Sequence, residues 1–255
     1  MVTRRSASGA LLLALTVGCG GGTPTPVSPP PQASTGSLNH SASQSSTTDT
    51  PAAAAPGTAG PLTEPEPETP FQLEDGFTLL AFSDFEAFGS ESETWQVTPE
   101  GVKCTGKPRG YLYSKQPFQN FTLRLDYRFT RPESLKDEAK FKGNTGFLMY
   151  ITGEHKLWPV SLEVQGKHVQ MAAIKENGGA QPVTATDDDA ARQKARHAVG
   201  KWNSIEIVST DGVLEVSLNG TPISKCEPDF LSEGLIGIQS EDFPFEVRRM
   251  RIRRN

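Results

Sequence analysis

The sequence predicts an all-β chain: an antiparallel β-sandwich of the jelly-roll kind behind an N-terminal tether with no core of its own. Three observations carry this. Beyond Phe71 apolar and polar residues alternate at period two, most cleanly in Phe121–Phe129, where Phe121, Leu123, Leu125, Tyr127 and Phe129 share one face and Thr122, Arg124, Asp126 and Arg128 the other. Gly-, Pro- and Asn-rich turns punctuate that alternation at short intervals. Only residues 187–196 read as a helix, with acids at the start and bases at the end to suit the helix dipole but no apolar stripe, so a short surface helix or a loop is expected. No repeat of roughly 20–50 residues is visible, which argues against a propeller.

In chain order, Met1-Val2-Thr3-Arg4-Arg5 is basic, residues 10–15 are apolar, and Thr16-Val17-Gly18-Cys19 ends in a cysteine after small residues. That pattern is a secretory signal over residues 1–18, and its apolar run is too short for a span, which takes about 20 residues. Leu15-Thr16-Val17-Gly18-Cys19 resembles a bacterial lipobox, with Thr16 in place of the usual leucine, so Cys19 is expected to be lipidated and to anchor an exported protein to the cell envelope. Residues 19–70 are a Pro/Ser/Thr/Gly/Ala mixture with almost no large apolar side chains. They cannot bury enough surface to offset their ordering entropy and read as a disordered linker.

Residues 71–255 form one domain. Asp211-Gly212 and Asn219-Gly220 mark two tight hairpin turns, the first leading into Val213–Leu218. Leu235 to Gln239 and Phe245 to Ile252 close the chain as strands. The whole sequence has 25 Lys and Arg against 30 Asp and Glu. With Arg4, Arg5 and the four acids of the first 70 residues set aside, 23 basic and 26 acidic residues remain, which is no nucleic-acid footprint. The late arginines 248, 249, 251, 253 and 254 fit the solvated face of a terminal strand at least as well as an anionic partner. Cys104 and Cys226 are either a disulfide or two lone buried thiols, and with no CxxC pair a structural zinc site is not expected.

The most informative stretch runs from Gly143-Asn144-Thr145-Gly146 to Ser161-Leu162-Glu163-Val164-Gln165-Gly166. In the second strand Leu162 and Val164 point one way and Ser161, Glu163 and Gln165 the other, so an acid and an amide share a face. That face is either a sugar site or an ordinary solvated surface. Several segments are similar to the 3-keto-disaccharide hydrolase domain family. They are Gly76-Phe77-Thr78-Leu79-Leu80, Trp95-Gln96-Val97, residues 121–127, the Gly143-Asn144-Thr145-Gly146 turn, Glu163-Val164-Gln165-Gly166, Gly200-Lys201-Trp202-Asn203, Leu218-Asn219-Gly220 and Gly234-Leu235-Ile236-Gly237-Ile238-Gln239. Together they span essentially all of residues 71–255.

The resemblance implies a concanavalin-A-like jelly roll with a glycan-facing concave sheet, and hydrolase or lyase chemistry on 3-keto-glycosides. A C3 ketone acidifies the C2 proton, so a base removes it, the C1 oxygen is expelled, and water adds to the resulting glycal. Such a site needs a base near C2, an electrophile or divalent metal near the C3 oxygen, and a proton donor for the leaving group. Glu163, as base or metal ligand, and His155, in the loop before it, are the catalytic candidates. Asn144, Trp158, Gln165 and His168 are candidates for holding the sugar. Where many members continue the Glu-Val-Gln strand with an aspartate, this chain has Gly166-Lys167-His168. The alternative is a carbohydrate-binding module that uses the same sheet without turnover.

Overall fold

A computed structural model describes residues 70–89, 92–228 and 230–255. The expected signal segment, Cys19 and the linker lie outside these residues, apart from Pro70. The period-two segments pair into two sheets with antiparallel strands throughout, as expected. The smaller, in spatial order, is β2 (Phe85–Phe88), β5 (Gly110–Ser114), β14 (Leu235–Ser240), β7 (Gly146–Thr152), β8 (Val160–Gln165) and β9 (Ile174–Asn177). The larger runs β10 (Ala185–Asp187), β13 (Thr221–Cys226), β12 (Val213–Leu218), β11 (Asn203–Thr210), β6 (Phe121–Phe129), β15 (Phe245–Arg254), β4 (Gly101–Cys104) and β3 (Trp95–Thr98), with β1 (Thr78–Leu79) also on β15. Asp211 and Gly212 both take positive φ, as do Asn219 and Gly220, which is the geometry that closes two-residue hairpins.

The core lies between the sheets. Leu112, Phe147, Met149, Leu162, Val164 and Ile238 of the smaller sheet face Leu123, Leu125, Tyr127, Phe129, Ile207 and Phe245 of the larger. Three hydroxyls tie across it: Tyr127 Oη donates to the Gly166 carbonyl at 2.8 Å, Ser224 Oγ to the Ala172 carbonyl at 2.6 Å, and Tyr150 Oη lies 2.7 Å from Ser209 Oγ. Cys104 and Cys226 are both buried free thiols, so of the two readings the lone-thiol one holds.

Helix α1 (Asp189–Ala195) is the short surface helix that the sequence allows, and it is tied down through one buried cation instead of an apolar stripe. Arg192 is 2% exposed, donates to the Met171 carbonyl at 2.7 Å, and pairs with Asp187 and Asp189. The arginines of β15 are not simply solvated. Arg251 holds Glu74 through two hydrogen bonds of 2.5 Å, and Arg248 lies 4.0 Å from the centroid of the Trp202 ring. Trp202, which the sequence places in the core because it follows a Gly-Lys turn and opens a strand, is instead half-buried on the outer face of the larger sheet, where Arg128 also stacks on it.

Candidate functional site

Strand register assembles the site on the outer face of the smaller sheet. One row of partners crosses all six strands: Lys175, Glu163, Leu148, Gly237, Tyr113 and Glu86. The row beside it carries Gln165 opposite Gly146, and Gln239 opposite Tyr111, which faces Phe88. Because β8 alternates, Leu162 and Val164 join the core while Ser161, Glu163 and Gln165 take the outer face, as the sequence predicts. The three are buried, at 0%, 8% and 6% exposure, so this is no ordinary solvated surface.

Gly146 makes the crowding possible. A Cβ there would stand 2.2 Å from Glu163 Oε1 and 2.5 Å from Gln239 Oε1, so the two side chains lean over the bare backbone from opposite strands. Among the described residues, neither of these oxygens has a hydrogen-bond partner, nor has Asn144 Oδ1. Asn144 Nδ2 donates to Glu241 Oε2 at 2.7 Å, and Thr145 Oγ1 donates to the Gln239 carbonyl at 2.8 Å, which pins the turn to β14. Burial pushes the Glu163 carboxyl up to about 7, and the nearby Glu241 charge adds to the rise. Lys175 and a hydrogen bond with Gln165 oppose it. A carboxyl poised there can both take and give a proton near neutrality.

The other half of the face is apolar. Tyr111, Leu148 and Ile151 form a small cluster outside the main core, with Phe88, Tyr113 and Leu235 against it. A register shift in β7 between Met149 and Thr152, where Tyr150 adopts φ 59°, sends Tyr150 inward and Ile151 outward. His155 belongs to this half. Its Nδ1 lies 2.7 Å from Tyr111 Oη and its ring 4.2 Å from that of Tyr113, whose own hydroxyl donates to Glu86 at 2.8 Å. Burial pushes the Tyr111 phenol up to about 12.

Of the residues singled out in the sequence, Asn144, Glu163 and Gln165 come together. His155 joins the aromatic half instead of the acid, and Trp158 is half-buried in the β7–β8 connection. His168 is partnered inside the fold instead: its ring, 2% exposed, packs edge-on to Phe141 and lies 3.5 Å from Glu138. Burial, with Arg196 and Arg131 nearby, holds its pKa below the usual histidine range. Asn144 has an ordinary backbone conformation, so its place in the turn does not rest on left-handed geometry. Gln239 and Glu241 join the site without a local sequence signal of their own, beyond the alternation of Leu235, Gly237 and Gln239 that puts Gln239 on one face of its strand.

Among the described residues, no three His, Cys, Asp or Glu side chains gather to hold a metal ion. The oxygens of Glu163, Glu241, Asn144 and Gln239 are nevertheless the kind of donor a hard divalent cation takes. They would hold such an ion if the chemistry uses one, and the ion would compete with the proton for Glu163. Volume and chemistry do not coincide in this fold. A cavity of about 580 Å³ opens elsewhere, lined by Phe71, Leu80, Phe82, Val102 and Met250, with Glu100 as its one carboxylate. Because its lining offers no buried acid or unpartnered oxygen, the outer face of the smaller sheet is the better candidate.

A β-sandwich that gathers a buried acid, amides and aromatic rings on one sheet face is the form of a carbohydrate-active domain. The chain belongs to the 3-keto-alpha-glucoside-1,2-lyase-like domain family, whose model matches residues 71–253. Two crystal structures from Parabacteroides distasonis, provisionally described as glycosyl hydrolases, share the fold at 19% identity. One covers 71% of this chain and 94% of its own with a TM-score of 0.53, the other 70% and 99% with 0.52. A carbohydrate-binding module, CBM66 of Bacillus subtilis, is more distant, with 13% identity, 69% and 99% coverage and a TM-score of 0.46. No curated protein matches the chain.

Proposed function

We propose that this domain cleaves 3-keto-glycosides by elimination and hydration, with Glu163 as the base. The observation that carries the reading is a nearly buried carboxyl with one unpartnered oxygen, poised near neutrality on a sheet face of amides and aromatic rings. The Glu163 carboxylate takes the C2 proton. The C–H electron pair forms the C1–C2 double bond as the C1–O bond breaks, and the leaving oxygen departs with that bond's electrons and takes a proton from solvent, to which Glu163 returns the one it removed. Water then adds, hydroxyl to C1 and proton to C2. Lys175, opposite Glu163 on β9, and the Gln165 amide are the donors at hand for charge that develops on the ketone oxygen.

The test is to incubate the full chain with a 3-keto-disaccharide and follow release of the free 3-keto sugar. Saturable binding without release would favour a non-catalytic binding module. Neither binding nor release across a panel of 3-keto-glycosides would overturn both. Gly146→Ala is expected to displace Glu163 and Gln239 and to lower kcat by roughly a hundredfold, since a shift of about 1 Å in a reacting group costs that much. Steady-state kinetics on the folded variant checks it, and wild-type kcat would show that the Gly146 floor is dispensable.

The protein is further proposed to be exported and tethered to the envelope by a lipid on Cys19, on the strength of the sequence at residues 1–19. Cys19→Ser is expected to move it from the membrane to the soluble fraction, and unchanged membrane retention would sink the anchor.

A further inference from the structure

Gln239 is 2% exposed, and its Oε1 has no partner, although it shares a buried point with the equally unpartnered Glu163 Oε1. With Glu163 ionised, as a base must be, two acceptors converge there without a donor. A buried oxygen left unpaired is costly, so the arrangement is complete only when something brings an O–H to it. A sugar does, and the geometry restricts which hydroxyl. On the reading that Glu163 removes the C2 proton, the oxygen crowded against Glu163 Oε1 lies within reach of the other substituent on that same carbon. Sugar C2 carries its hydrogen and its hydroxyl on one atom, and the two oxygens stand within 2.5 Å of one point over Gly146.

We propose that Gln239 is the specificity-determining residue of this site: its Oε1 accepts the 2-hydroxyl of the sugar while Glu163 takes the hydrogen from the same carbon. The inference rests on the elimination reading and adds to it a requirement for a 2-hydroxy glycoside. Once the proton has left, C2 becomes part of the double bond and its hydroxyl becomes enolic. The same hydrogen bond then holds the ring in place while water adds at C1. Thr145, through its bond to the Gln239 carbonyl, fixes the backbone from which this side chain reaches.

The experiment compares kcat/KM for a 3-keto-glucoside and its 2-deoxy analogue, with the uncatalysed rate subtracted, in wild type, Gln239→Leu and Gln239→Asn. The wild type is expected to favour the 2-hydroxy substrate by roughly ten- to a hundredfold, because the analogue leaves the buried acceptor unpaired. Both variants should lose most of that preference through slower turnover of the 2-hydroxy substrate, with the 2-deoxy rate nearly unchanged. If the leucine variant does not fold, the shortened asparagine carries the comparison. Equal use of both substrates by the wild type, or an undiminished preference in the folded variants, overturns the proposal and leaves elimination standing. Turnover of neither substrate by the wild type overturns elimination and the proposal with it. Calorimetric binding of Ca²⁺ or Mg²⁺ to the sugar-free protein that Gln239→Leu abolishes overturns the proposal alone, because Gln239 would then serve a cation while elimination still stands.

Discussion

Glu163→Gln is expected to lower kcat on a 3-keto-glycoside by roughly a hundred- to ten-thousandfold, the range that a positioned general base contributes. The replacement keeps the shape of the side chain, exchanges one acceptor oxygen for an amide donor and removes the basicity, so substrate binding should largely persist and the loss should fall on kcat. In the wild type the base must be ionised to act. Activity should therefore rise with pH through about 7, the value to which burial and Glu241 push this carboxyl, and that limb should vanish in the variant. Steady-state kinetics between pH 5 and 9 reads both. A glutamine variant with wild-type kcat would remove Glu163 from the chemistry and return attention to His155.

The same substitution is expected to stabilise the fold above neutrality. The carboxyl is raised from 4.5 in the unfolded chain to about 7 in the folded one, so between these values the native state binds more protons than the unfolded state. Stability then falls as pH rises through that window, and above it the fold bears the full cost of a buried charge, at most about 3 kcal/mol. Glutamine carries no such cost. Wild-type and variant melting temperatures should lie closest near pH 5 and separate toward pH 8, with the variant higher. If the two run parallel across that range, the Glu163 charge is compensated in the folded protein. A gain in stability opposite a loss of turnover is the signature of a residue kept for chemistry.

Much of this fold is legible in the sequence because its signals are local. Phe121–Phe129 needs only its own alternation to be a strand with one core face, and Asp211-Gly212 and Asn219-Gly220 need only their tolerance of positive φ to be turns. The site is legible in part. Alternation places Glu163 and Gln165 together, but nothing local says that their face is buried, since that depends on what leans over it. Gln239 on β14 and Glu241 just past its end arrive from far along the chain, and the pairing that sets Gln239 over Gly146 and Glu241 against Asn144 is a property of the assembled sheet. His168 misleads for the same reason: Phe141 and Glu138, which enclose it, come from the loop before β7. Trp202 looks like core because it opens a strand, yet two guanidinium groups on neighbouring strands provide its cover.

The hydroxyl of Tyr127, donating across the sandwich to the carbonyl of Gly166, anchors the end of the strand that carries Glu163 and Gln165 to the opposite sheet. Glu163, Gln165 and Gln239 therefore stand on interior strands whose backbone opens only when the sandwich opens, not on loops that fluctuate by themselves. A receptor of that kind loses little conformational entropy on meeting its ligand, so the contacts it makes count almost fully toward affinity. It also has little freedom to reshape itself around a different sugar.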